Sequence, residues 1–501
     1  MATEALHLPE APRLNFRRVL SSRPLRVSVA LVGTAALAEM VLVGWQMATA
    51  SVADPTVLVP SSHNGFPSWM AGPLHPGRPM TVHAISVSLV LLSALYLVVL
   101  ACSRALPAWI ALPGVVALTA IFTLAPPLLS TDIFNYIAYA RMGVLYHLNP
   151  YAHGAAAIPL DPSFPPSGHL WNHTPTAYGP LFTLLSYSFV HLGVGGEMWA
   201  LKVLTGLASL GCCALIWACA RKLGVRPLTA VLFFALNPLL LVYTIGGGHN
   251  DVLMALPLLG GVLLVLSGWP LLGGVLFMVA VGIKLSAALV LPFVVVAARN
   301  RRRVLAGAAL GALVIGVASY EVFGSHLKAM ADVLKLNNEF NWTVVSVGGF
   351  VGHLAGFGHL TAARRHVLDV VFAVGAVGML AWAWRRRDWV TAAAGTILLQ
   401  LATSGWLLPW YILWVLPLAA LARRRWVAGG VVLLSGLLIA MQIQHYAVVH
   451  HHDQIALRHR EERLAARELR LRIQVRADAA RARLAAQRGQ QLARAARGLG
   501  A

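Results

Sequence analysis

The sequence predicts an all-α polytopic membrane protein, a single helical bundle of about thirteen transmembrane spans. Three observations predict it. Of 501 residues, 58% are apolar and 11% charged. Uncharged runs of about eighteen or more residues recur along most of the chain, close to the length a helix needs to cross hydrocarbon. Lys and Arg, 39 against 18 Asp and Glu, stand mainly in short runs between apolar stretches, as on cytoplasmic loops. A soluble domain cannot bury this much apolar surface. The basic excess is therefore topological and predicts no nucleic-acid partner. Cys102, Cys212, Cys213 and Cys219 lie in or beside apolar runs, where cysteine behaves as a small hydrophobe, so no disulfide framework is expected.

A basic N-terminus, 1–26, carries Arg13, Arg17, Arg18, Arg23 and Arg26 and is placed in the cytoplasm, ahead of an apolar run too long for a signal peptide core. Residues 27–446 hold the spans. Segments 27–47, 82–102 and 108–129 lead out, in and out again, which makes 130–196 an outer loop longer than a connector needs. Within it, 178–192 resembles a span. Counting it would move Arg221, Lys222 and Arg226 outside, so it reads as re-entrant or interfacial.

Span 198–219 returns inward, 227–245 leads out to a GGGHND turn, and 252–268 goes back. The thirty residues 269–298 contain one charge, Lys284. A straight helix of that length would measure about 45 Å against about 30 Å of hydrocarbon, so two half-spans meeting near Lys284 on the outer side are predicted. Span 304–322, an outer loop at 323–365, and spans 367–384, 389–405, 411–422 and 426–446 follow. Arginines 385–387 and 423–425 mark inner ends. The tail, 447–501, holds twelve arginines between Arg458 and Arg497 and reads either as a helix on anionic headgroups or as a solvated extension.

Ionisable groups at the bilayer are expensive, so those that persist there carry a functional hypothesis. Asp132 follows directly on a span: it can take a proton from a hydroxyl, or simply cap the next helix. Tyr178 sits in a Tyr-Gly-Pro turn. Lys202, just inside a span, can meet an anionic headgroup or snorkel to the interface. In the GGGHND turn, three glycines expose backbone N–H groups beside His249, Asn250 and Asp251, which suits a phosphate or a sugar; a flexible turn with Asp251 as cap is the alternative. Lys284 needs an anion, water or a structural ion-pair partner. Trp410 and Tyr411, beside Pro409, match an interfacial aromatic belt.

Taken in order, TDIFNY, YGPLF, GGGHND, IKL before a proline, and LPWYILWVLPLAAL resemble the actinobacterial polyprenol-phosphate-mannose-dependent alpha-1,6-mannosyltransferases of the MptB type, over roughly residues 27–446. The resemblance implies a GT-C-like helical bundle with a long first catalytic outer loop. It implies transfer of a hexose, mannose above all, from a polyprenyl phosphate to an envelope glycan or glycolipid, on the extracytoplasmic face of the plasma membrane. An inverting single displacement would form an alpha, 1,6 linkage.

Carried over by position, the resemblance makes Asp132 the general base. His249 and Lys284 would hold the donor phosphate, assisted by Lys202 and Arg141. Tyr178, Asn250, Asp251, Trp410 and Tyr411 would touch substrate. Asp132 is followed by Ile133 instead of a second acid, so no two-carboxylate metal site is expected, and no cofactor either, since the lipid-linked sugar is a substrate. The partners implied are the polyprenyl-phosphate sugar, the acceptor glycan or glycolipid, and membrane lipid. A transporter or lipid-linked sugar flippase is the alternative function, since many spans with a broken helix and a buried cation also fit alternating access.

Overall fold

The computed structural model describes residues 23–50, 68–74, 80–164, 171–327, 346–357, 361–446 and 489. The basic residues before 23, parts of both predicted outer loops and nearly all of the arginine-rich tail lie outside the described residues. The chain divides into two compact units, Met1–Ile443 and Gln444–Ala501. Everything that follows concerns the first.

Among the described residues every regular element is a helix. In order they are α1 (Arg23–Ala48), α2 (Val82–Cys102), α3 (Ala108–Leu124), α4 (Asp132–Leu145), α5 (Pro180–Tyr187), α6 (Gly193–Leu223) and α7 (Pro227–Ala235), then a π-helical segment (Leu239–Gly246). Next come α8 (Asp251–Leu266), α9 (Pro270–Ile283), a 3-10 turn (Leu285–Val290), α10 (Leu291–Ala297), α11 (Arg301–Phe323), α12 (Val347–Leu354), α13 (Ala362–Arg386) and α14 (Trp389–Thr403). A second 3-10 turn (Pro409–Trp414), α15 (Leu416–Leu421) and α16 (Arg425–Tyr446) follow.

Six helices, α1, α2, α6, α11, α13 and α16, are long and apolar enough to cross a membrane, and α7 with the π segment makes a seventh if the bent pair is one span. The chain is a multi-pass membrane protein. The other apolar helices have at most 17 residues, short of the roughly 20 of a straight crossing, so helix length yields six or seven spans where about thirteen were expected. Side-chain placement fits a lipid solvent. In α13 only Ala383 is buried, and Val367, Val370, Val374 and Val377 point outward, an apolar exterior that water would penalise and hydrocarbon does not.

The breaks have local causes. Residues 227–245 were expected as one span, but the chain bends by 57° between α7 and the π segment. Pro238 cannot donate a helical hydrogen bond, and the Asn237 side chain accepts from Leu239 N at 3.0 Å instead. The predicted span 411–422 is likewise a 3-10 turn and a six-residue helix, started by Pro409 and Pro417. At Lys284 the backbone is extended (φ −153°, ψ 124°) between α9 and the 3-10 turn, so 269–298 is interrupted where its length required. Segment 178–192 contains only the eight-residue α5 and a short 3-10 turn, too short to cross.

Candidate active site

Two helices begin at one place with a carboxylate in their first turn. Asp132 opens α4 and Asp251 opens α8; the positive end of a helix favours an anion there. Neither acid is used as a cap. The Asp132 carboxylate faces His249, with Oδ2 3.6 Å from Nδ1, and takes a hydrogen bond from Tyr178. Asp251 Oδ1 accepts from Lys284 Nζ at 2.6 Å and from Trp414 Nε1 at 2.7 Å. Lys284 also reaches Asn250 Oδ1 at 3.4 Å. Its ammonium lies over the rings of Tyr411 and Trp414, 5.2 and 5.7 Å from their centroids, within cation–π range.

Close backbone approaches bring these groups together. Gly179 N donates to Ile283 O at 3.1 Å, and a Cβ at Gly179 would run into the carbonyl of Gly282. The Tyr178 turn therefore docks on the end of α9, one residue before Lys284. Gly248 has φ +72°, and a Cβ there would meet Ile133 Cδ1, so the turn bearing His249 closes against the residue after Asp132. The π segment ahead of that turn has the widened register often found beside functional sites.

The aromatic residues are structural walls of this centre. Trp410 stacks on His249 with centroids 3.7 Å apart, Tyr411 stacks on Trp414 at 4.3 Å, and Tyr178 meets Tyr136 edge-on at 4.7 Å. His249 and Asp251 are fully buried, whereas the side chains of Asp132 and Lys284 keep 15% and 13% of their surface exposed. Asp132 and Lys284 are thus the ionisable groups of this cluster that stay partly open. Four buried polar atoms here lack a hydrogen-bond partner: His249 Nε2, Asn250 Nδ2, Asp251 Oδ2 and Ser286 Oγ. Unsatisfied atoms at such density mark a place where a ligand or water completes the shell.

Electrostatics divides the roles. Burial lifts the Asp132 carboxyl to about 6, against the opposing pull of the Lys284 ammonium and the Tyr178 hydrogen bond. In the turn, burial first, then the Lys284 and Lys202 cations, hold the His249 imidazole well below its usual pKa. Held there, the imidazole favours its neutral form, which brings no charge to a phosphate. Among the described residues no group of three or more His, Cys, Asp or Glu gathers to hold a metal.

Other expected contributors are committed elsewhere. Lys202 is fully buried and donates to three carbonyls, Phe122 at 3.1 Å, Ile245 at 3.3 Å and Gly246 at 2.6 Å. It satisfies the terminal acceptors of α3 and the π segment instead of meeting a headgroup, as cations do at helix C-termini. Lys202→Met should strand those carbonyls and lower stability by about 3 kcal/mol, read as a fall in the detergent-solubilised melting temperature. Arg141 is engaged by two carboxylates, through Nε to both oxygens of Asp161 (2.9 and 3.0 Å) and through Nη1 to Glu197 at 3.2 Å. That triad ties the loop after α4 to α6, so Arg141 offers no spare charge. The glycine N–H groups are not open either: those of Gly247, Gly248 and His249 all bond to carbonyls of the π segment.

Sequence reasoning missed Tyr136 and Trp414. Tyr136 Oη lies 3.4 Å from His249 Nδ1, and its signal was position, four residues after Asp132 on the same helical face. Trp414 follows Tyr411 by three residues, one 3-10 turn, and the Asp251 bond that gives it a role is visible only in three dimensions.

The chain is 32% identical over 345 residues to alpha-(1->6)-mannopyranosyltransferase A of Mycobacterium tuberculosis, covering 61% of this chain and 65% of that protein. It is 28% identical over 365 residues to alpha-(1->6)-mannopyranosyltransferase B of Corynebacterium glutamicum, covering 62% and 59%. The chain thus spans less than two thirds of the length of these relatives. No solved structure matches it. The family model described as alpha-(1->6)-mannopyranosyltransferase, N-terminal domain, matches residues 29–300, a stretch that includes Asp132, Tyr178, His249, Asn250, Asp251 and Lys284. With more than half its length in that match, the chain belongs to the alpha-(1->6)-mannopyranosyltransferase MptA/MptB family.

Proposed function

We propose that this protein transfers mannose from a polyprenyl phosphate to an envelope glycan or glycolipid at the extracytoplasmic face of the plasma membrane, forming an alpha-1,6 linkage within a GT-C-like bundle. The family supports the sugar and the linkage. The mechanism rests on one observation, the juxtaposition of Asp132 and Lys284 as the open ionisable groups of an otherwise closed polar centre. Asp132 removes the acceptor hydroxyl proton, and the oxygen attacks the anomeric carbon as the bond to phosphate breaks. The electron pair leaves with the phosphate, whose second negative charge Lys284 offsets while sharing its ammonium with Asp251. One displacement inverts the centre, so a beta-linked donor gives an alpha product. Neutral His249, Tyr136 and Tyr178 orient the carboxylate, and Asn250, Trp410 and Tyr411 shape the sugar site.

Placement of basic residues supports the face. Arg423 donates to Leu223 O at 2.9 and 3.1 Å, and Arg387 donates to Val296 O at 3.1 Å. Leu223 ends α6, twenty-one residues and about 31 Å of helix beyond Lys202, which holds the turn leading to His249. The arginine end and the polar centre are therefore a bilayer apart, and arginine prefers the cytoplasm.

The test is turnover. Membranes containing the full chain, given labelled polyprenyl-phosphate mannose and a short alpha-1,6 mannan, should yield an acceptor heavier by one hexose, with an alpha-1,6 linkage. Movement of the labelled lipid across the bilayer with no glycan product would instead support the flippase reading and reject this one.

A further inference from the structure

A second polar feature lies at the arginine end of the bundle. Between the end of α10 and the start of α11, a cavity of about 650 Å³ is lined by Ala297, Ala298, Arg299, Arg301 and Arg387. Arg387 enters it from beyond α13 in a left-handed conformation, φ 55°, unusual for a residue with a side chain. Among the described residues none of these three guanidinium groups pairs with a carboxylate. The adjacent acid, Asp388, is occupied by Thr391, accepting from its hydroxyl at 2.8 Å and its N–H at 3.3 Å. Three like charges around one cavity repel, and a bound anion would relieve them.

The surroundings narrow the class of anion. α11 runs twenty-three residues, about 34 Å, from Arg301 to Phe323. Phe323 packs against Tyr151, and Tyr151 donates to the carbonyl of Tyr178 in the candidate active site. The cavity thus sits one bilayer thickness from that site, at the opposite headgroup zone. α10 packs against both α11 and α13. Those two helices present apolar side chains outward, among them Leu305, Leu313 and Val317 on α11 and Val370, Val374 and Val377 on α13. A cationic head chamber continued by apolar helix faces suits an anion attached to hydrocarbon chains better than a free one.

We propose that this cavity binds the phosphodiester headgroup of an anionic phospholipid from the arginine-side leaflet, with its acyl chains lying along α11 and α13. The site is independent of the transferase chemistry.

The test uses the full chain purified in detergent. Wild-type protein should retain added phosphatidylglycerol in native mass spectrometry and gain thermal stability from it, while phosphatidylcholine with the same chains should do neither. Arg299→Gln/Arg301→Gln should weaken phosphatidylglycerol binding about thirtyfold. Arg302→Gln/Arg303→Gln removes the same charge from residues that do not line the cavity, and should weaken it less than about threefold. Equal loss in the two pairs would reduce the effect to general surface charge and overturn the proposal. Equal retention of phosphatidylcholine, or equal stabilisation by inorganic phosphate, would also overturn it. These wild-type comparisons decide the matter even if a variant fails to fold.

Discussion

Asp132→Asn is expected to lower mannosyl transfer by about a hundredfold to ten-thousandfold, the usual worth of a positioned general base, while the variant still inserts and melts like the wild type. Asparagine keeps the size and the Tyr178 contact but cannot accept the acceptor's proton. The same residue should set the acid limb of the pH profile. Its carboxyl is raised to about 6 by burial, and only the ionised form acts as base. Transfer should therefore rise with pH through about 6, plateau above it, and fall tenfold per unit below. Turnover by the variant at the wild-type rate, or an acid limb near the ordinary carboxylate value, would remove Asp132 from the role.

Lys284→Met should act twice. The ammonium is the cation bonded to Asp251, a fully buried carboxylate, and removing one partner of such a pair typically costs about 3–5 kcal/mol. The melting temperature should fall, and the donor should bind more weakly because Lys284 is the partly open cation of this centre among the described residues. Pairing the substitution with Asp251→Asn separates the two effects. The double variant is neutral at both positions and keeps an oxygen for Trp414 Nε1, so stability should return while donor affinity stays low. Recovery of donor affinity with stability would mean that Lys284 serves only as a structural counter-ion. A cycle of single and double variants measures the coupling directly.

Much of the site could be read along the chain, because its members share a local signature: each is a polar or aromatic residue where an apolar segment ends or breaks. Asp132, Tyr178, the His249–Asp251 turn, Lys284, Trp410 and Tyr411 are spread over almost three hundred residues, yet the bundle brings them together. Lys202 and Arg141 share that local signature and do not join them. Their partners, three main-chain carbonyls in one case and Asp161 with Glu197 in the other, leave no trace in local composition. Tyr136 and Trp414 carry no such signal, since an aromatic among apolar neighbours looks like core.

By itself the sequence determined the membrane class, the chain break at Lys284 and the inventory of groups able to do chemistry, because hydropathy, helix length and proline act through neighbouring residues. Only the tertiary structure decided which charges remain open and which are paired, how far a bent pair departs from a straight span, and that burial and two nearby lysines lower the pKa of His249. A buried charge must find a partner or lose its proton, and which partner lies within reach depends on how helices far apart in the chain pack against one another.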